Sequence, residues 1–294
     1  MKLLTYEVDR RKDIGVMSRD EMWVYPLRAF GMEYTSMMEV VKGFSQSEKD
    51  LLEHVSGLEP YGVTGAAMRS EVKILAPIEA PEQDIICLGL NYMEHAEESA
   101  RFKKEAFDGV RKEAVYFSKR VNRTVDPDGE ISAHSDIVDS LDYEAELGVI
   151  IGKEAYRVPK EQVKDHIFGY TINDVSARNV QNAHKQWYFG KSLDGFTPMG
   201  PCILTADSVE YPPKFPIRSL VNGEVRQESN TGQMIFDIDH IVSELSMGMT
   251  LKAGTIISTG TPSGVGMGFT PPKFLKAGDV VECVNRIKNL REKE

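Results

Sequence analysis

From Lys73 onward the apolar residues come in runs too short for helices. They are Ile-Leu-Ala at 74–76, Ile-Ile-Cys-Leu at 85–88, Leu-Gly-Val-Ile-Ile at 147–151 and Thr-Ile-Ile-Ser at 255–258, punctuated by Gly, Pro and Asp. Short β-branched runs between turn residues read as strands. The pattern predicts strands at 84–88, 147–151, 168–173, 255–259 and 280–284, with helices few and chiefly at 92–106, 159–165 and 236–246. Helices are too few for a regular alternation of strand and helix, so the expected class is mostly β with some α.

Residues 1–72 have another texture. Strand-like runs at 2–8, 14–18 and 22–26 precede two helical stretches, 35–42 and 47–55. In the second, Ser47 stands at the cap, Asp50 at the capping-box position and Gly57 beyond the end. No catalytic-looking cluster of polar groups lies here. The expectation is a small structural or dimerisation module, 1–72, ahead of a larger domain, 73–294.

With 41% hydrophobic residues, the 294-residue chain can bury a sizeable core. Its net charge, 35 − 45 = −10, argues against a nucleic-acid backbone or an anionic membrane as partner. A small anionic substrate stays open, because a bound metal reverses the local field. Cys87, Cys202 and Cys283 lie far apart in apolar runs and read as buried thiols in a reducing compartment. No apolar run reaches membrane-spanning length and the N-terminus lacks a signal-peptide core, so the cytoplasm is expected. No GxGxxG occurs, and the glycines of 260–268 lack the Lys-Ser/Thr ending of a phosphate loop, which excludes a nucleotide site.

Asp142-Tyr-Glu-Ala-Glu146 runs straight into Leu-Gly-Val-Ile-Ile151. If strand geometry starts at or before Glu144, then Glu144 and Glu146 share a face, since side chains alternate with period two. Paired carboxylates repel, and a hard divalent ion with oxygen ligands compensates best. Asp174 ends another apolar run and offers a third oxygen. Spacing alone favours exposed or salt-bridged acids and leaves the metal site as the second reading. His95 and Glu98, three apart on a helix, suit an imidazole base oriented by a carboxylate, or a surface ion pair. Lys119, Arg178 and Lys191 are cations that either bind a substrate oxyanion or lie on the surface. Gly260 to Gly264, with Thr261 and Ser263, offers backbone N–H groups to a carboxylate.

At these residues the sequence closely resembles the fumarylacetoacetate hydrolase superfamily, in particular its isomerase and acylpyruvate hydrolase branches, from about Leu75 to Ile287. Cys87-Leu-Gly-Leu-Asn-Tyr-Met-Glu-His95 is similar to the family's GxNYxxH segment, with Glu98 as the partner carboxylate. The stretch from Asp142 to Glu146 resembles the ExE metal strand, and Gly169 to Arg178 the segment ending in the third ligand, Asp174. Gly190 to Gly200 resembles the stretch bearing the active-site lysine, Lys191, and Ile257 to Gly266 the late substrate loop.

The resemblance implies a mixed β-sandwich-roll catalytic domain with a small α/β N-terminal domain, a homodimer, and Mg²⁺ or Mn²⁺ on Glu144, Glu146 and Asp174. It implies His95, Glu98 and Lys191 as catalytic residues. Arg178, Gln181 and Thr259 then face a small anionic 2-oxo acid, and Lys119 joins them from the reading of the cations. The first reaction expected is hydrolysis of a carbon–carbon bond in an acylpyruvate such as fumarylpyruvate, by water that His95 activates. Isomerisation of a 2-hydroxyhepta-2,4-diene-1,7-dioate, and decarboxylation or tautomerisation of oxaloacetate, use the same metal–enolate platform; a metal-stabilised binding protein is the non-enzymatic alternative. Two departures from the pattern stand out. Leu90 sits where the acylpyruvate branch often has Arg, and the span from Glu98 to Glu144 is long, with 101–139 readable as a lid or a solvated loop.

Overall fold

The computed structural model describes residues 1–284; the end of the family resemblance at Ile287 and the tail of the 73–294 domain lie outside the described residues. The chain opens with strands β1 (Lys2–Val8), β2 (Arg11–Met17) and β3 (Trp23–Pro26), helices α1 (Met37–Gly43) and α2 (Gln46–Val55), and short strands β4 (Ala67–Met68) and β5 (Lys73–Leu75). There follow β6 (Ile85–Gly89), α3 (Met93–Lys103), β7 (Val115–Lys119), β8 (Leu141–Ile151), β9 (Ile167–Ala177), α4 (Arg178–Ala183) and α5 (Tyr188–Lys191). The rest is β10 (Ile203–Thr205), β11 (Pro216–Val221), β12 (Glu224–Asn230), α6 (Ile238–Ser246), β13 (Ile256–Ser258) and β14 (Val281–Val284).

One large mixed sheet dominates, in the order β4-β3-β2-β1-β10-β9-β8-β13-β6-β7, with β5 also paired to β1. The β13–β6 pair is parallel. A second sheet, β12-β11-β14, is antiparallel. The protein is therefore mostly β with a few helices, as the short apolar runs imply. Strand β1 bonds to both β5 and β10, so the sheet is continuous across residues 72 and 73. The core is continuous too: Leu3, Val16 and Tyr25 belong to one cluster with Ile85, Cys87, Ile150 and Ile203.

Several local expectations shift. Helix α2 is capped by Ser45 rather than Ser47: the Ser45 hydroxyl accepts from Glu48 N–H and the Glu48 carboxylate accepts from Ser45 N–H, a full capping box. The favoured Ser-x-x-Glu pair outcompetes Ser-x-x-Asp, which moves the helix start two residues back. The stretch at 159–165 is a 3₁₀ helix, Lys160–His166, not an α-helix. Strand β8 begins at Leu141, six residues before 147, and β9 runs on to Ala177, so both carboxylate segments lie inside strands. Residues 101–139 include β7, which pairs with β6, so the irregular backbone lies on either side of a sheet strand. Cys87 is buried, whereas Cys202 and Cys283 are only partly so. No helix among the described residues is long and apolar enough to cross a membrane.

Candidate metal centre

Every residue of β8 is buried, and the strand is paired to β9 on one side and β13 on the other. Period-two alternation puts Asp142, Glu144 and Glu146 on one face. In the β8–β9 register Glu144 stands directly opposite Asp174, and directly paired residues project to the same face. The register shifts between Glu144 and Leu147, a bulge that re-aims the strand beside the carboxylates. One carboxylate oxygen from each of Glu144, Glu146 and Asp174 lies within 4.8 Å of the others, and all three residues are buried. The expected ligand triad is thus assembled by the sheet itself.

The bulge is held from outside. Ala145 N–H donates to the Gln227 side-chain oxygen at 2.9 Å, and the Thr261 hydroxyl donates to Ala145 C=O at 2.9 Å. Gln227 is fully buried and also donates to the Thr261 hydroxyl and Pro262 C=O, at 2.7 and 2.8 Å. It comes from the second sheet, and no sequence motif marks it. Asp142 is the other residue that sequence reasoning passed over. It accepts from Arg178 Nε at 2.8 Å, Gly266 N–H at 2.6 Å and Met267 N–H at 3.1 Å. Its place two residues before Glu144 was the available signal.

Cations crowd the same oxygens. Lys191 Nζ contacts Glu144 Oε2, and Asp174 Oδ2 at 2.5 Å. Lys119 Nζ contacts Asp174 Oδ1 and donates to Phe196 C=O at 2.6 Å. Arg178 spans Asp142, Glu144 (2.5 Å) and the Gln181 side-chain oxygen (3.1 Å). Glu146 instead accepts from the Ser258 hydroxyl, and from Gly260 N–H at 3.1 Å.

These surroundings separate the two glutamates. Burial pushes the Glu146 carboxyl up, and Asp174 and Glu144 push it further, to about 8. Burial also acts to raise Glu144, but the charges of Arg178 and Lys191 outweigh it and hold this carboxyl well below the usual range. Lys191 is the mirror case: burial opposes its charge, and Asp174 and Glu144 prevail and raise its pKa.

Beside the carboxylates, β6 turns into α3. Leu90 takes a left-handed backbone (φ 57°), and the buried Asn91 clamps the turn by donating to Thr259 C=O at 2.8 Å and accepting from Phe236 N–H at 2.8 Å. On α3, His95 and Glu98 are both buried, and His95 Nδ1 lies 3.0 Å from Glu98 Oε2. The other Glu98 oxygen accepts from Gly264 N–H at 3.0 Å. A carboxylate on Nδ1 requires that nitrogen to be the donor and leaves Nε2 as the basic atom.

His95, Glu144, Glu146, Arg178, Gln181, Lys191 and Thr261 share one cleft. Two of the expected substrate contacts lie elsewhere. Lys119 is buried behind Asp174, where β7 carries it, and its ammonium is spent on that carboxylate. Thr259 is fully buried and gives its hydroxyl to Leu147 C=O at 2.9 Å, because its strand end is stitched to β8; Thr261, two residues on, lines the cleft. Ser263 reaches the exposed Glu94 instead. At the mouth, the Trp187 ring lies against bare Gly89, where an added Cβ would meet it at 2.0 Å. Phe117 meets Trp187 edge-on at 5.2 Å, and Lys103 lies 5.6 Å above it.

Oxygen-only ligands at this spacing, already drawn together around buried cationic groups, fit a hard divalent ion rather than a soft one. Fold and site together place three buried carboxylates, of the kind that hold such an ion, in one cleft with a buried histidine–glutamate pair. Residues 84–292 match the family model described as Fumarylacetoacetate (FAA) hydrolase C-terminal, and the chain belongs to the fumarylacetoacetate hydrolase family. Members of this family are metal-dependent hydrolases and isomerases acting on small 2-oxo acids.

Its relatives differ in reaction. The oxaloacetate tautomerase YisK of Bacillus subtilis (strain 168) is 40% identical over 294 aligned residues, covering 96% of this chain and 95% of the relative. A fumarylacetoacetate hydrolase from psychrophilic Exiguobacterium antarcticum superposes with a TM-score of 0.78 at 36% identity, over 98% of this chain and 96% of that one. The maleylpyruvate hydrolase of Sphingobium sp. SYK-6, solved with manganese(II) and pyruvate, gives 0.74 at 26%, over 97% and 95%.

Proposed function

We propose that this enzyme interconverts the keto and enol forms of a short 2-oxo dicarboxylate of the oxaloacetate type, a reaction that stood among the alternatives to acylpyruvate hydrolysis in the sequence reading. The observation that carries the proposal is the likeness to an oxaloacetate tautomerase, 40% identical over 96% of this chain. The cleft between the carboxylates, His95 and Trp187 is narrow in the absence of ligand, with room for about two waters.

Mg²⁺ or Mn²⁺ held by Glu144, Glu146 and Asp174 would polarise the 2-oxo and carboxylate oxygens and favour the enolate. His95, its Nδ1–H directed at Glu98, removes a proton from C3 through Nε2 and delivers one to C3 when the ketone re-forms. The Lys191 ammonium, buried against Glu144 and Asp174, places a fixed positive charge where the oxyanion grows. Arg178 holds Glu144 and Gln181 in place rather than spending its own donors on substrate. Asp142, Glu144, Asp174 and a protonated Glu146 balance Lys119, Lys191 and Arg178, so a divalent ion turns the site net positive and ready for an anion.

A second reading, hydrolysis of a longer acylpyruvate, is favoured by one feature. His95, Ser99 and Lys103 follow each other at four-residue steps along the cleft face of α3, about 6 Å apart, and Lys103 would meet a distal carboxylate. The two readings separate in one assay. Oxaloacetate enol decay is followed by absorbance with Mg²⁺ or Mn²⁺, beside product analysis with fumarylpyruvate. Metal-dependent enol decay that His95→Ala lowers by roughly 100-fold or more is the expected result. Pyruvate release from fumarylpyruvate without oxaloacetate turnover would replace tautomerisation with hydrolysis.

A further inference from the structure

The His95–Glu98 dyad stands between two cavities. His95 faces the small cleft described above. Glu98 faces a second space of about 190 Å³ on the outer side of α3, bounded by Arg101, Phe102, Met267, Phe269 and Thr270. Arg101 and Thr270 are exposed, so this outer cavity reaches the surface, and its volume holds several waters at about 10–15 Å³ each. Gly268 is what brings Glu98 there: an added Cβ at that position would lie 1.7 Å from Glu98 Oε1. The carboxylate thus rests on bare backbone, with one oxygen on His95 and the other on Gly264 N–H.

We propose that Glu98 is a two-sided relay, and that the outer cavity is a back door through which the dyad exchanges protons with solvent while substrate fills the front cleft. The inference rests on the proton-transfer reading of the site. In the forward step the C3–H bond breaks, its electrons form the C2–C3 double bond, and the C2–O π electrons move onto oxygen. The proton goes to His95 Nε2. The imidazolium passes its Nδ1 proton to Glu98, and the carboxylic acid releases it to water in the outer cavity. The enolate oxygen takes up one proton from water to give the enol, and the reverse sequence loses that proton and returns one to C3 through Glu98 and His95. Substrate in a front cleft with room for only about two waters displaces the solvent there, whereas the outer cavity stays open.

The test follows His95 itself and needs no turnover. In ¹⁵N-histidine-labelled protein, solvent exchange of the His95 Nδ1–H is measured by NMR, free and with Mg²⁺ and oxalate in the front cleft. Phe102→Trp and Thr270→Trp, which narrow the outer cavity while His95, Glu98 and the carboxylates are themselves unchanged, are compared with wild type. With oxalate bound, wild type should exchange within about threefold of the free protein, and each narrowed variant at least tenfold more slowly. A tenfold slowing by oxalate alone makes the front cleft the route and overturns the proposal, as does unslowed exchange in both narrowed variants. If oxalate leaves the His95 signal unmoved, the reading of the front cleft fails separately, and the narrowed and wild-type proteins are compared without it. Slower exchange in the narrowed variants then still supports the back door, and equal exchange refutes it.

Discussion

Metal binding should expel a proton from Glu146. In the metal-free protein this carboxyl is raised from the ordinary 4.5 to about 8 by burial, Asp174 and Glu144. At pH 7 it is then protonated roughly ten times more often than not, and a cation must displace about 0.9 proton to use it as a ligand. Apparent affinity for Mg²⁺ or Mn²⁺ should therefore climb about tenfold per pH unit between roughly pH 6 and 8 and level off above. The linkage has a definite sign: a raised carboxyl gives the folded protein stability that is complete below 4.5 and is lost as pH rises through 8. Every tenfold difference in proton affinity between folded and unfolded chain is worth about 1.4 kcal/mol, so the metal-free protein should lose several degrees of Tm from pH 6 to 8 and recover them with metal. Calorimetric titration at pH 7 in buffers of different ionisation enthalpy counts the proton directly. Glu146→Gln should abolish the proton release, weaken metal binding, and raise the Tm of metal-free protein at pH 8. A proton count near zero, or an affinity flat from pH 6 to 8, would refute the account of this carboxyl.

Three further outcomes follow from local contacts. Gly268→Ala pushes a methyl into Glu98 and should lower kcat by about 10- to 100-fold, while metal affinity by titration stays unchanged. Gln227→Ala leaves Ala145 N–H buried without its acceptor, which should cost about 1–3 kcal/mol in urea unfolding and loosen metal binding by disturbing the bulge. Ser45→Ala removes the capping box of α2 and should cost about 1 kcal/mol, with kinetics untouched; an equal loss in Ser47→Ala would contradict the observed cap.

Much of the site could be read one strand at a time. Glu144 and Glu146 share a face because strand alternation is local, and His95 and Glu98 meet because a helix brings residues three apart together. The family motifs added Asp174 and Lys191, and both stand in the cluster. The substrate contacts were less legible. Lys119 and Thr259 are polar residues at strand ends, but whether such a group faces the cleft or the core depends on which strand pairs with which. Lys119 reaches Asp174 from β7, 55 residues away, and Thr259 is consumed by β8.

By itself, then, the sequence determined a mostly β chain and the oxygen-rich chemistry of its carboxylate pair, since short apolar runs and residue spacing act over a few residues. The opposition of Glu144 and Asp174, the bulge clamped by Gln227, and the two cavities flanking His95 and Glu98 came only with the tertiary structure. Register and cavity shape depend on pairings between residues far apart in the chain, and no local pattern encodes them.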